Sequence, residues 1–161
     1  MAIRPDVKLY LSKAKVSYEP VSHSKTFSCI DEAKALRINA DEVAKNLIIK
    51  VKDKYTFAVI PGGRKINLSK LRHVMGSSHA RFTTEDEMAT DFPEYEVGAV
   101  PPLGDLFEVP VYVDSKLLDH EIIIFTAGTH TDSIKMKSSD FVNLVNAEMA
   151  DLVEEPEQKA F

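Results

Sequence analysis

The sequence predicts a single domain of the α/β class built around a mixed β-sheet. Its length of 161 residues favours one domain. Apolar runs of strand length alternate with segments of helical periodicity along the chain. Two of the runs, residues 47–51 and 55–60, flank three polar residues and predict an antiparallel hairpin. A hairpin among interleaved helices and strands favours a mixed sheet over a doubly wound parallel one.

The predicted helices begin where capping chemistry is available. Proline is tolerated in a first helical turn, and serine, threonine and asparagine side chains accept hydrogen bonds from first-turn N–H groups. Helices are therefore expected to begin near Pro5, at the capping pairs Ser28–Asp31 and Thr84–Glu87, and at the cap Asn67. Two further helices are expected over residues 41–44 and 140–150.

The other apolar runs are short enough to be strands. They cover residues 16–21, 81–82, 109–113, 122–127 and 133–136, with turns at residues 61–63 and 128–132. No linker divides the chain, so we expect one domain over residues 1–150 and an acidic C-terminal tail over residues 151–161.

Composition excludes several classes of protein and leaves the question of nucleic acid open. No apolar stretch approaches the roughly 20 residues of a membrane-spanning helix, and the first residues do not resemble a secretion signal. One cysteine excludes an internal disulfide framework. We therefore expect a cytoplasmic protein.

The formal net charge of −5 argues against nucleic acid, but the acids are concentrated in two segments. Residues 148–161 carry −4 and residues 85–96 carry −6, which leaves the other 135 residues at +5. A basic face and an ordinary solvated surface are both compatible with this pattern. The residues that could meet phosphates are Lys50, Lys52, Lys54, Arg64, Lys65, Lys70, Arg72 and Arg81.

Lys45 is the prominent candidate for a functional residue, because it lies where a short polar segment gives way to the apolar run 47–51. A cation there can face a cleft while the strand fixes its backbone. Residues 98–104, Gly-Ala-Val-Pro-Pro-Leu-Gly, form a loop that two prolines stiffen, which we call the Gly98 loop. A fixed positive charge and a backbone-rich loop suit an anionic substrate with a carbonyl ester. Each feature alone is also typical of a solvated lysine and a structural turn.

Several stretches resemble the YbaK-type aminoacyl-tRNA deacylases, which are related to the editing domain inserted in bacterial prolyl-tRNA synthetases. They are His23-Ser24 through Thr26, Ala44-Lys45-Asn46-Leu47, Val59-Ile60-Pro61-Gly62, the Gly98 loop, residues 109–114, and Ala127-Gly128-Thr129-His130. The resemblance runs in one order over residues 5–147. It implies a free-standing member whose mixed, barrel-like β-sheet is surrounded by helices.

The resemblance also implies a reaction, the hydrolysis of the ester that joins a wrong amino acid to the terminal ribose of tRNA, most often tRNA specific for proline. Lys45 and Gly98 are the expected catalytic residues. Lys45 would supply charge to the terminal phosphate or to the developing oxyanion. The residues expected to bind substrate are Asn46, Ala99, Val100, Pro101, Gly128, His130 and His23. His130 is equally compatible with a structural role in its loop, and Asn46 with capping the preceding helix. For His23 a capping or turn role is favoured over contact with substrate.

No cofactor or metal is expected, because His120, His130 and Asp132 do not match a compact zinc motif. No protein nucleophile is evident, since Cys29 lies in a capping region without an obvious partner. The resemblance implies instead that a ribose hydroxyl of the substrate helps to activate water.

The amino acid that is removed is expected to be alanine, with cysteine and serine behind it, because Asn46 and His130 resemble the alanine-specific branch. Leu103 departs from the phenylalanine common in that loop. Aminoacyl-tRNA is the expected partner and prolyl-tRNA synthetase is a second candidate, with neither membrane nor DNA. The alternatives are a non-catalytic module that binds tRNA ends or a synthetase, and a hydrolase of aminoacyl esters other than tRNA.

Overall fold

The structure is a computed structural model that describes residues 3–26 and 28–155. Its helices are α1 (Pro5–Ala14), α2 (Cys29–Leu36), α3 (Leu68–Met75), α4 (Glu85–Asp91) and α5 (Ser138–Leu144). Its strands are β1 (Glu19–Ser22), β2 (Ala44–Val51), β3 (Lys54–Pro61), β4 (Arg81–Phe82), β5 (Val111–Asp114), β6 (Ile122–Thr129), β7 (Asp132–Lys137) and β8 (Glu148–Ala150). Short 3-10 helices cover Ala40–Glu42, Gly104–Leu106 and Ser115–Asp119.

The strands form two sheets. The larger has the order β4-β2-β3-β5-β8, in which β5 pairs parallel with both β3 and β8 and the other pairs are antiparallel. The smaller, β1-β7-β6, is antiparallel, and a bridge between Val43 and Ile124 connects β6 to the chain just before β2. The prediction of a mixed α/β domain is confirmed. Within the described residues the two sheets do not close on themselves, so "barrel-like" describes the fold only loosely.

Three of the predicted helix starts, those of α2, α3 and α4, are confirmed by their capping hydrogen bonds. The Ser28 hydroxyl accepts from the N–H of Asp31 at 3.1 Å, and the Asn67 side chain accepts from the N–H of Lys70 at 3.2 Å. Thr84 and Glu87 form the reciprocal capping box, with both bonds at 3.1 Å. These local signals need only a few neighbouring residues, which is why the sequence reveals them.

The predicted helix over residues 41–44 is wrong at its end. The 3-10 helix stops at Glu42, and Ala44 is already the first residue of β2, paired with Pro61. Pairing with β3 extends the chain from Val43 onward. Lys45 is therefore the second residue of a strand, with a partner, Ile60, directly opposite.

The predicted closing helix over residues 140–150 is also wrong in its second half. α5 ends at Leu144, and Asn146 adopts a left-handed backbone conformation with φ of 51°. Asparagine tolerates this conformation, which ends helices. The chain then forms β8, whose three residues pair with β5.

Other strand boundaries differ from the predictions by a few residues. β1 begins at Glu19 instead of residue 16, and β5 begins after Pro110, which has no N–H to donate to a sheet. β6 continues through Gly128 to Thr129 with an irregularity after Thr126, so the predicted turn at residues 128–132 is shorter.

A second cluster of buried apolar residues includes residues beyond position 151, where the acidic tail was predicted to begin. Leu152 and Val153 are buried and pack with Ile49 and Ile60 of the central hairpin. The buried Asp114 carboxylate accepts a 2.8 Å hydrogen bond from the N–H of Leu152. Residues 156–161 lie outside the described residues, so the acidic tail stays a prediction for that part of the chain.

We predict that Leu152→Ala lowers the free energy of unfolding by about 2–5 kcal/mol, because it removes a fully buried side chain from this core. Urea unfolding followed by circular dichroism measures the change. Leu118→Ala, at a leucine that is 43% exposed, is the matched control and should cost no more than about 0.5 kcal/mol. Equal effects of the two substitutions would show that Leu152 is not part of the folded core.

Candidate active site

A cavity of about 400 Å³ opens beside the first half of β2. Its walls come from β2, the start of α2, the segment from β4 to α4, the Gly98 loop and His130. β3 pairs with all eight residues of β2, whereas β4 pairs only with Ile49 and Lys50. The cavity therefore follows a stretch of β2 that has no neighbouring strand on one side.

The backbone of Asn46 points toward this open edge. The Ile48 carbonyl, two residues along β2, accepts a 3.1 Å hydrogen bond from the N–H of Thr83 on the β4 side. Alternate residues of an antiparallel strand direct their N–H and C=O groups to the same side. The N–H of Asn46 is thus directed away from β3, where it can donate to a ligand.

Lys45 lines the cavity and is half-buried. Within the described part of the chain, its ammonium has no carboxylate within 4.0 Å and no hydrogen-bond acceptor. Lys50 and Lys70, by contrast, both hold carboxylates. Lys45 is a fixed positive charge that the described residues do not neutralise.

Asn46 joins β2 to the Gly98 loop. Its side-chain Nδ2 donates to the Val100 carbonyl at 3.1 Å, which also fixes the orientation of the amide. Its Oδ1 is buried and has no hydrogen-bond partner among the described residues. A buried acceptor without a donor is costly, and a ligand with an N–H or O–H group would satisfy it.

The Gly98 loop contributes one residue to the cavity lining. Gly98 has φ of 84°, and a Cβ at this position would lie 3.6 Å from Cε1 of His130. Ala99, Val100 and Pro101 are buried and lie outside the described lining of the cavity. The N–H of Ala99 donates to the Glu96 carbonyl at 2.9 Å, and its carbonyl accepts from Gly128 at 2.9 Å. These residues hold the loop in place.

The two predicted histidines occupy different positions. His130 lines the cavity, and its Nε2 lies 2.8 Å from the Val97 carbonyl. Its position is compatible both with contact to a substrate and with a structural role in its loop. The His23 ring is almost fully buried between the Ser24 carbonyl, at 2.7 Å, and the Ser133 hydroxyl, at 2.9 Å. His23 lies behind the cavity wall formed by Glu32, 3.9 Å away.

Gly128 is a point of close packing. It is buried with φ of 107°, and a Cβ there would come within 2.8 Å of the Arg4 side chain and 3.1 Å of the Tyr95 ring. The structure therefore gives Gly128 a packing role beside the Gly98 loop.

Sequence reasoning missed Glu32, which is 2% exposed and lines the cavity. It accepts a hydrogen bond from the Ser133 hydroxyl. Burial raises the pKa of the Glu32 carboxyl, although Ser133, His23 and His130 oppose the change. No local sequence signal marks Glu32, because its partners Ser133 and His23 are distant from it along the chain.

Cys29 also lines the cavity, but its environment disfavours the thiolate. Burial, with a further contribution from Glu32, raises the pKa of the thiol to about 11, although Lys45 opposes the change. A protonated thiol is a poor nucleophile. The structure thus agrees with the expectation that no cysteine acts as a covalent catalyst.

Four of the eight residues of the predicted basic face, Lys50, Arg64, Lys70 and Arg81, are paired with carboxylates within the protein. Glu87 binds both Lys50, at 2.8 Å, and Arg81, through two contacts of 2.8 and 2.9 Å. Lys70 binds Asp151 at 2.9 Å and Arg64 lies 3.6 Å from Asp41. Lys52 lies in the turn with φ of 56°, so Lys50, Lys52 and Lys54 do not share one strand face.

Comparisons with known proteins identify the family. The model of the aminoacyl-tRNA editing domain matches residues 23–144. The chain belongs to this family of aminoacyl-tRNA editing domains. The matched range contains every residue that lines the cavity.

Curated relatives include proline–tRNA ligases. That of Shouchella clausii is 30% identical over 95 residues, which are 58% of this chain and 16% of the ligase. That of Staphylococcus aureus is 25% identical over 135 residues, which are 76% of this chain and 24% of the ligase. The chain thus spans less than a quarter of the length of these ligases.

Solved structures share the fold at low identity. A protein proposed to be a trans-editing enzyme for prolyl tRNA synthetase has a TM-score of 0.81 at 20% identity, over 96% of this chain and all of its own. The hypothetical protein APE2540 has a TM-score of 0.85 at 21% identity, over 92% of this chain and 99% of its own. Among the described residues, no helix is long and apolar enough to cross a bilayer.

We predict that Cys29 reacts slowly with iodoacetamide near neutral pH. Because its pKa is about 11, the rate should rise about tenfold per pH unit from pH 7 to pH 10 without levelling off. The same chain unfolded in urea is the control, and its rate should level off above an ordinary thiol pKa of about 8.5. A plateau below pH 9 in the folded protein would show an activated thiolate.

We predict that Glu87→Gln lowers the thermal unfolding midpoint at pH 7. Hydrogen bonds from Arg81 and then Lys50 hold the pKa of Glu87 well below its ordinary value. An acid of lowered pKa contributes stability above its unfolded-state pKa and loses it as pH falls through the folded one. Calorimetry should therefore show the difference from wild type shrinking below about pH 4.

Glu85→Gln, at an exposed residue of the same helix, is the control and should leave the midpoint nearly unchanged at both pH values. A Glu87→Gln difference that persists undiminished in acid would mean that the carboxylate charge is not its source.

Proposed function

We propose that this chain is an editing hydrolase that uses water to cleave the ester of mischarged aminoacyl-tRNA, with alanine on proline-specific tRNA as the first substrate and cysteine or serine as further ones. The observation that carries the proposal is the pairing of two unsatisfied groups in one cavity. Lys45 and Asn46 are adjacent in sequence and both line the cavity. Among the described residues, the Lys45 ammonium has no carboxylate within 4.0 Å and the buried Asn46 Oδ1 atom has no hydrogen-bond partner. Together they suit a ligand with both a negative oxygen and a hydrogen-bond donor.

An aminoacyl ester provides both groups. Attack of water on the ester carbonyl creates a negative oxygen, and pre-aimed donors stabilise it more than they stabilise the ground state. Lys45 and the backbone N–H of Asn46 are the donors that the cavity provides. Asn46 Oδ1 can accept from the α-ammonium group of the amino acid. These contacts orient the carbonyl, while a ribose hydroxyl of the substrate helps to activate the water.

The contact at Asn46 does not select the amino acid, because every aminoacyl ester has an α-amino group. Selection must come from the walls that the side chain meets. At one of them, a Cβ added to Gly62 would lie 2.7 Å from the Cβ of Cys29. This close approach holds the start of α2 close to the end of β3, and the proposed preference for alanine needs a pocket small enough to exclude larger side chains. Since each added methylene contributes only about 1–3 kcal/mol of discrimination by attraction, steric exclusion is the stronger mechanism here.

We predict that Lys45→Ala slows deacylation about 10²–10³-fold, because an oxyanion donor is lost. The measurement is release of labelled amino acid from proline tRNA charged with alanine, cysteine or serine. Lys8→Ala, at an exposed residue of α1, is the matched control and should hydrolyse like wild type. A wild-type chain that hydrolyses none of the three would be a non-catalytic binding module, and an active Lys45→Ala variant would remove Lys45 from the mechanism.

A substrate without the terminal 5′-phosphate separates the two possible tasks of Lys45. If Lys45 serves the oxyanion, Lys45→Ala is equally harmful with alanyl-adenosine and with alanyl-tRNA. If it binds phosphate, the loss disappears with alanyl-adenosine. Measurable hydrolysis of alanyl-adenosine by wild type would also test activity on esters other than tRNA.

Partner and location follow from the proposed substrate. Prolyl-tRNA synthetase is the enzyme that would produce the mischarged tRNA, and the similarity to segments of proline–tRNA ligases supports this pairing. The activity belongs where tRNA is charged, which places the protein in the cytoplasm.

A further inference from the structure

Phe82 lies at an end of the cavity to which the proposed reaction assigns no role, and its environment there is unusual. It lines the cavity and is 49% exposed. The other described phenylalanines each contact another aromatic ring, namely Phe57, Phe92, Phe107, Phe125 and Phe141. Phe82 has no ring partner within the described part of the chain.

The backbone that presents Phe82 is held in place from both sides. Phe82 pairs with Ile49 of β2, and the next residue, Thr83, donates its N–H to the Ile48 carbonyl at 3.1 Å. The preceding residue, Arg81, is bound to Glu87 by two contacts. A large apolar ring is therefore displayed to solvent on a fixed backbone, where it contributes little to packing.

Thr83 adds a polar group beside this ring. Thr83 lines the cavity, and its buried Oγ1 atom has no hydrogen-bond partner among the described residues. A hydroxyl can donate and accept, as the edge of a nucleobase can. On the wall formed by α2, Ile30 is a second apolar lining residue that is 52% exposed. The lining of the cavity thus includes two exposed apolar side chains and a residue whose hydroxyl has no partner among the described residues.

The spacing from the ester site fits one nucleoside. Thr83 bonds to Ile48, and Ile48 lies two residues from Asn46 on β2, a separation of about 7 Å along an extended strand. In an aminoacyl-adenosine, one ribose ring separates the ester from the base. A substrate with its ester at Lys45 and Asn46 would then place its base against Phe82.

We propose that Phe82 is the stacking platform for the terminal nucleobase of the tRNA acceptor end, with Thr83 beside the base edge. This inference rests on the proposed function, because the ester site fixes where the base falls. Arg81 and Lys50 do not compete for this role, since Glu87 holds both. With this subsite, the cavity binds a nucleobase as well as an amino acid.

A binding experiment tests the platform without requiring catalysis. The chain contains no tryptophan, so Phe82→Trp introduces a single fluorophore at the site. Adenosine 5′-monophosphate should quench its emission, whereas ribose 5-phosphate at the same concentration should not. Quenching by neither compound, or by both equally, would overturn the inference.

A kinetic cycle tests the same contact during the reaction. Two alanylated RNA minihelices are compared, one ending in adenosine and one ending in an abasic ribose. Phe82→Ala should lower kcat/KM for the adenosine-ended RNA by about 5- to 150-fold, the range for loss of one base–aromatic stack. It should leave the rate on the abasic RNA unchanged, because the base that it contacts is already missing. Phe82→Tyr should retain activity on both.

Leu9→Ala, at a leucine of α1 that is 56% exposed, is the matched control for loss of exposed apolar surface and should act like wild type. Equal losses on both RNAs in Phe82→Ala would show a structural role and overturn the inference. Hydrolysis of neither RNA by wild type would instead contradict the proposed function, and the fluorescence result would then decide the nucleobase site by itself.

Discussion

The unequal pairing of β2 is the constraint on which the rest of the site depends. β3 covers its full length, and β4 covers two residues near its end. A strand paired on both sides along its whole length would have no free backbone group at Asn46 and no space for a cavity. The short length of β4, which α4 follows immediately after its capping box, therefore decides that β2 has an accessible edge.

The open edge brings together groups that come from distant parts of the chain. The amide of Asn46 connects β2 to Val100, so the Gly98 loop is held against the strand that carries Lys45. The Glu96 carbonyl accepts from the N–H of Ala99 and the N–H of Gly128 donates to the Ala99 carbonyl, which positions the other side of that loop. Glu96 also accepts a hydrogen bond from the N–H of His130. Among the described residues, the two buried side-chain atoms without partners, Asn46 Oδ1 and Thr83 Oγ1, both belong to residues of this cavity. Unsatisfied buried polar groups are rare in folded proteins, and finding both beside one cavity is consistent with a binding site there.

The sequence predicted the parts of this arrangement that depend on local chemistry. Capping residues such as Asn67 and Thr84 define helix starts, and the hairpin of β2 and β3 follows from two apolar runs separated by a short polar turn. Lys45, Asn46, Gly98 and His130 all line the cavity. What the sequence did not reveal depends on tertiary pairing. Residues 148–150 look helical until they pair with β5, Glu32 looks like a solvated acid until β7 buries it, and Lys50 looks free until Glu87 binds it.

The internal pairing of the surface cations has a consequence for how long a tRNA stays bound. A phosphate that approaches Lys50, Lys70 or Arg81 must displace a carboxylate that already holds the cation, so few counterions are released on association. A complex with few backbone contacts dissociates quickly, because affinity differences appear mainly in the off-rate. Under the proposed function, short residence would let correctly charged tRNA leave intact. A mischarged tRNA would need only the interval in which its ester meets Lys45.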